Sequence, residues 1–78
     1  MRVFTKQELR QYDGSNGVAY VAYSGKVYDV SGSYHWRTGV HHVRHRAGSD
    51  LTEALEQAPH DIHLLEKFPI IGELLDVG

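Results

Sequence analysis

The hydrophobic and polar positions of this chain change period from one stretch to the next. In "GVAYVAYSGKVYDV" the runs Val18–Tyr23 and Lys26–Val30 are rich in β-branched and aromatic residues, and Ser24-Gly25 stands between them. That pattern predicts a hairpin on a two-residue turn. The first run has few polar positions, so its strand is expected to be covered on both faces. In "SDLTEALEQA" the apolar residues Leu51, Ala54, Leu55 and Ala58 fall at helical spacing. Ser49 or Asp50 reads as the cap of that helix, with Glu53 answering Asp50. Pro59 interrupts the stripe, His60 follows the break, and "DIHLLEKF" predicts a last short helix with Ile62, Leu65 and Phe68 on one side.

The remaining stretches are shorter. "FTKQEL" carries a capping box, Thr5 with Glu8 three residues on, and Phe4 and Leu9 fit the accompanying hydrophobic staple. This helix is expected to reach about Tyr12 and stop at Asp13-Gly14. "SGSYHWRTG" reads as a loop broken by Gly32 and Gly39, "VHHVRHR" as a short helix ending at Gly48, and "PIIGELL" as a strand through Ile70 and Ile71. Helix, hairpin, paired short helices and strand, in that order, make an α+β fold. There are no repeats and no low-complexity linkers, so residues 1–78 read as a single domain.

Composition narrows the chemistry. A chain of 78 residues is marginal on its own core, and such domains often gain stability from a metal, a cofactor or a disulfide. No cysteine is present, which excludes disulfides, thiolate zinc sites, iron–sulfur ligation and covalent haem attachment. A formal charge of −2 gives no basic field for nucleic acid. No apolar run approaches the roughly 20 residues that cross a bilayer, and "MRVFTKQELR" does not resemble a signal peptide. The expected location is the cytoplasm. No triad, carboxylate pair or phosphate loop is visible, so no enzyme activity is expected.

Six histidines remain: His35, His41, His42, His45, His60 and His63. His41 and His45 are four apart, a spacing that on a helix lets two imidazoles grip one metal ion. His42 occupies the place where the zinc-protease pattern needs glutamate. The competing reading is a solvated helix face. His60, at the break after Pro59, points into the space between Leu51/Leu55 and Ile62/Leu65, or else caps a helix. Two separated histidine sites with an apolar space between helices describe a haem pocket. Magnesium or calcium would require carboxylates. Tyr20, Tyr23 and Tyr28 sit at strand spacing and read as sheet core.

The chain resembles the cytochrome b5 family. "KVYDVSG" is similar to its second hairpin strand, "AGSDLTEALEQAPH" to the Ala-Gly-x-Asp-x-Thr helix leading to its second axial histidine, and "FPIIGEL" to its closing strand. The resemblance implies a small sheet below a helical crevice, noncovalent b-type haem (heme b), and one-electron transfer. It carries the second axial position onto His60 and pocket positions onto Val43, Leu51, Leu55 and Ala58. The family's first histidine belongs to a His-Pro-Gly-Gly turn that is missing here, and its place falls on Trp36. The long segment from Asp29 to Ala47 resembles the membrane-associated progesterone receptor branch, whose ligand tyrosine would fall on Val43. The run from Trp36 to Thr52 is most similar to small prokaryotic members described as haem- or steroid-binding.

The first iron ligand is therefore sought in the histidine-rich stretch. The family alignment turns Val43, His42 and Arg46 toward the haem. His41 stands just after Gly39, and the resembling prokaryotic pattern carries His41 and His45. His41 is the preferred ligand, followed by His45, His42 and His35. The expected contacts are then Trp36, Val43, Arg46, Leu51, Leu55, Ala58 and Leu65, with His41 and His60 on the iron. Arg37, Arg44 and Arg46 would favour an acidic partner or neutralise the haem propionates. The expected state is a monomer serving a redox partner that the sequence does not identify. A steroid-like ligand, or a module that binds no cofactor, are the alternatives.

Overall fold

The computed structural model describes residues 2–32, 40–41, 45–57 and 59–75, with the backbone alone for 40, 41, 45, 46 and 59–61. Its elements are β1 (Arg2–Phe4), α1 (Lys6–Leu9), β2 (Tyr20–Tyr23), β3 (Lys26–Asp29), β4 (Val40–His41), β5 (His45–Arg46), α2 (Thr52–Glu56), α3 (Pro59–Glu66) and β6 (Ile70–Leu74). Four strands form a mixed sheet in the order β1-β6-β3-β2. β1 runs parallel to β6, while β3 is antiparallel to both β2 and β6.

Local chemistry explains the first elements. The Thr5 hydroxyl accepts from the Glu8 N–H at 3.0 Å, and the Glu8 carboxylate accepts from the Thr5 N–H at 3.1 Å. The expected capping box is complete. Phe4 and Leu9, the staple pair, are both fully buried in one cluster. Tight turns continue α1 to Tyr12, whose N–H donates to the Leu9 carbonyl. The hairpin is the expected one. Its turn residues Ser24 and Gly25 have φ of 52° and 80°, the two positive angles that a type I′ turn demands.

The sheet divides the interior into two cores. On the near face lie Ala19, Val21, Val30, Ala47, Leu51, Leu55 and Leu65. On the far face lie Phe4, Leu9, Ala22 and Val27. Val21 and Ala22 are consecutive, both fully buried, and belong to different cores. β2 is thus covered on both faces, as its apolar run predicted. The far face adds an aromatic group. Phe4 meets Tyr12 and Tyr20 edge-on, Tyr12 stacks on Tyr20 at 4.5 Å, and the Arg2 guanidinium lies 4.3 Å from the Phe4 ring centre.

The outer edge of β2 is closed by the chain just before α2. Gly48 N–H donates to the Tyr20 carbonyl, Ala22 N–H to the Ser49 carbonyl, and Leu51 N–H to the Ala22 carbonyl. Gly48 has φ +84°, and a Cβ there would stand 3.2 Å from the Asp13 Cβ and 3.3 Å from the Arg10 carbonyl oxygen. Only glycine lets the strap lie this close to the end of α1.

Four expectations are corrected. β1 was not foreseen at all. The expected helix over Val40–Arg46 gives way at its ends to strands: Val40–His41 and His45–Arg46 form the antiparallel ribbon β4–β5, with Val40 opposite Arg46 and His41 opposite His45, while His42, Val43 and Arg44 lie outside the described residues. The cap of α2 is not an Asp50–Glu53 box. Asp50 instead accepts from both the N–H and the hydroxyl of Thr52, and Leu51 takes the cap position. Pro59 does not end the preceding helix, which stops at Glu56; it begins α3. The first turn of a helix needs no N–H from proline, whose fixed φ suits it.

Candidate functional site

The near face of the sheet supplies a floor. Val21 and Tyr28 are opposed in the β2–β3 register, and Tyr23 and Tyr28 pack half-buried on the same cluster as Val21 and Val30. α2 and α3 lie over this floor. Leu51, Leu55 and Leu65, three of the expected contacts, are 4%, 1% and 2% exposed. Their surface is almost wholly consumed by packing on the floor. On α3 and its exit, Ile62 and Phe68 are partly buried against the same cluster, while Leu64 is exposed.

α2 is held onto the hairpin through its first residue. The Thr52 hydroxyl donates to Asp50 Oδ1 at 2.6 Å and accepts from the Ser24 N–H at 2.9 Å. The tip of the β2–β3 hairpin is thus tied to the helix that carries Leu55. At the end of α3, Glu66 lies near Tyr28. Burial pushes the Tyr28 phenol above its ordinary value, and Tyr23 and Glu66 push it the same way. The floor therefore presents a neutral phenol.

The candidate ligands fall on two different kinds of element. His60 is the second residue of α3, two before Ile62 and five before Leu65. His41 ends β4 and His45 begins β5, opposite one another in register, while Arg46 faces Val40 across the ribbon. Trp36, Val43 and Ala58, with His35 and His42, lie outside the described residues. His63 is exposed on α3, with Nδ1 3.7 Å from the Glu66 carboxylate. Among the described residues, no three histidines, cysteines or carboxylates converge as a bare metal cage.

An apolar wall with a histidine at the start of one of its helices suits haem, which takes axial nitrogen and greasy walls. Comparison with known families bears on this directly. The family model described as Cytochrome b5-like Heme/Steroid binding domain matches residues 5–75. The chain belongs to the cytochrome b5 family. A solved cytochrome b5 domain protein of Hadesarchaea YNP_N21 is similar to it at 63% identity, over 96% of this chain and 100% of that one, with a TM-score of 0.88. A cytochrome b5 domain protein of Methanococcoides burtonii is 49% identical over 96% of this chain and 99% of that one, with a TM-score of 0.87. A search of curated proteins found no match. The α+β cytochrome b5 fold expected from the sequence is therefore shown.

Seen as a cytochrome b5 domain, the chain assigns clear work to its Ala-Gly-x-Asp-x-Thr motif. Ala47 is buried in the near core, Gly48 permits the close strap, and Asp50 with Thr52 ties α2 to the hairpin. The motif fixes where the helical wall stands. Sequence reasoning left Phe68, Tyr23 and Tyr28 out of the site and named Ile62 only as a wall of the space beside His60. The signal for Ile62 and Phe68 was present in the stripe shared with Leu65. Among the described residues, no helix is long and apolar enough to cross a membrane.

Proposed function

We propose that this cytochrome b5 domain binds b-type haem noncovalently and serves as a one-electron carrier. The observation that carries the reading is the make-up of α3: one rigid helix bears Leu65 and Ile62 on its packed side and His60 at its start. In this reading His60 and His41 would hold the haem iron. Trp36, Val43, Arg46, Leu51, Leu55, Ala58 and Leu65 line or support the pocket. Bound there, haem iron supplies reversible one-electron chemistry. Held by two histidines, it would favour electron transfer over oxygen chemistry and over catalysis. The chain's own part is to hold two imidazoles in place, exclude water with the leucine wall, and keep the floor neutral through the protonated Tyr28 phenol.

Haem titration of the purified chain tests this. A sharp Soret band with a six-coordinate low-spin spectrum is expected, reducible and reoxidisable without change of ligation. His60→Ala should abolish that spectrum and most of the affinity. A chain that stays colourless, or a His60→Ala variant with an unaltered spectrum, would sink the reading. The second reading, a steroid-like ligand, draws support from the neutral Tyr28 phenol of the floor, which suits a carbonyl or hydroxyl. It predicts a colourless protein that binds steroid and no haem.

A further inference from the structure

The two edges of the four-stranded sheet are treated differently. The β2 edge is covered by the strap from Gly48 to Leu51. The outer edge of β1 is paired with no strand among the described residues. Arg2 and Phe4 turn their backbone groups toward β6: the Leu75 N–H donates to the Phe4 carbonyl, and a Cβ on Gly72 would strike the Arg2 carbonyl oxygen. Successive residues of a strand turn these groups to opposite edges. The N–H and carbonyl of Val3, the middle residue of β1, therefore face outward. Its side chain lies on the face opposite to Phe4 and is 49% exposed.

An outward N–H and carbonyl on one residue is the pattern that a two-fold axis satisfies. In an antiparallel ladder a hydrogen-bonded pair of opposed residues exchanges both bonds. Val3 set against the partner's Val3 thus gains two N–H···O=C bonds by symmetry, with the two side chains about 4.5–5.5 Å apart. Charge selects the same occupant. A register centred on Val3 sets Arg2 opposite the partner's Phe4 and beside the partner's Thr5. The Glu8 carboxylate is held on the Thr5 N–H at 3.1 Å, so each arginine comes up to the other copy's carboxylate. The edge complements itself in hydrogen bonding and in sign.

We propose that two copies of this chain pair edge to edge through β1, antiparallel and centred on Val3, in place of the monomer expected from the sequence. An isologous contact of this kind closes on itself. With the strap over the β2 edge, the pairing joins two four-stranded sheets and stops there. Three residues make a small interface, so the dimer is weak and forms at high protein concentration. The pairing does not depend on the haem reading.

Sedimentation equilibrium and amide exchange on the purified full chain, over a range of concentrations, test the proposal. A monomer–dimer equilibrium is expected, weakening as salt rises. The Val3 N–H should gain protection with concentration, while the Leu75 N–H, bonded within the chain, stays protected throughout. Val3→Pro removes the outward donor, which no described residue uses, and should weaken association about tenfold or more with the unfolding midpoint unchanged. The exchange measurement on the unaltered chain keeps the test decisive should that variant fold poorly. A chain monomeric at every concentration, a Val3→Pro dimer as tight as the wild type, or Val3 protection independent of concentration would each overturn the pairing.

Discussion

The Thr52 hydroxyl lies 2.6 Å from Asp50 Oδ1 and at the same time receives the Ser24 N–H, so one side chain joins a helix to a hairpin tip. Replacing it with valine keeps the shape and removes both bonds. Thr52→Val should cost about 1–2 kcal/mol, and Thr52→Ser should restore most of it. Urea denaturation of the two variants checks this. Equal losses in both would show that the methyl group, not the hydroxyl, matters.

Gly72 sits in β6 between Arg2 of β1 and Val27 of β3. A Cβ there would run into the Arg2 carbonyl oxygen and stand 2.8 Å from Phe4 Cε1. Gly72→Ala must therefore push β1 off the sheet or displace the far core, at a cost of about 1–3 kcal/mol or more. Gly25 offers a contrast: its φ is +80° but a Cβ there meets nothing within 4 Å. Gly25→Ala should cost only the backbone conformation, about 1–2 kcal/mol. Amide exchange separates the two, because only the Gly72 variant should lose protection at Leu75, whose N–H donates to the Phe4 carbonyl.

Leu55 and Ile62 divide the work of the wall. Leu55 is 1% exposed and Ile62 only partly buried. Leu55→Ala should cost about 2–5 kcal/mol of stability. Ile62→Ala should cost roughly 1 kcal/mol, having less buried surface to lose, yet weaken haem binding more per unit of stability lost. Paired denaturation and haem titration of both variants measure the division, and identical ratios would contradict it.

Tyr28 gives the fold an alkaline limit. Burial, then Tyr23 and Glu66, hold its proton more tightly in the folded chain than in the unfolded one. The unfolded chain therefore releases that proton first, near the ordinary tyrosine value of about 10, and stability falls as pH rises beyond it. Below that pH the contribution is fully present. Tyr28→Phe should flatten the decline between pH 9 and 11 (roughly one unit either side of that ordinary value), as read from denaturation midpoints. An unchanged slope would place the alkaline limit elsewhere.

What the sequence disclosed depended on how local each signal was. The Thr5–Glu8 box and the Ser24-Gly25 turn lie within a few residues of chain and were legible at once. The stripe Ile62, Leu65, Phe68 was legible because helical period and burial agree there. β1 was not, since three residues cannot show an alternation and its partner lies at the other end of the chain. The stretch Val40–Arg46 misled for a physical reason: a spacing of four joins residues on a helix and also fits residues paired across an antiparallel ribbon, as His41 and His45 are. Histidine, having no strong preference for either, does not choose between them. Pro59 carried two meanings as well, since a proline that ends one helix and a proline that opens the next look alike in sequence.

Because β2 gives Val21 to one core and Ala22 to the other, the domain is built like two rooms sharing a wall one residue thick. Each room can be refurnished separately. The far room, with its Phe4, Tyr12 and Tyr20 packing, backs the sheet on the other side. The near room is then free to drift in the residues that meet a ligand, within the limit that Val21 keeps its bulk. A lineage could exchange one prosthetic group for another, or lose it, without inventing a new way to fold.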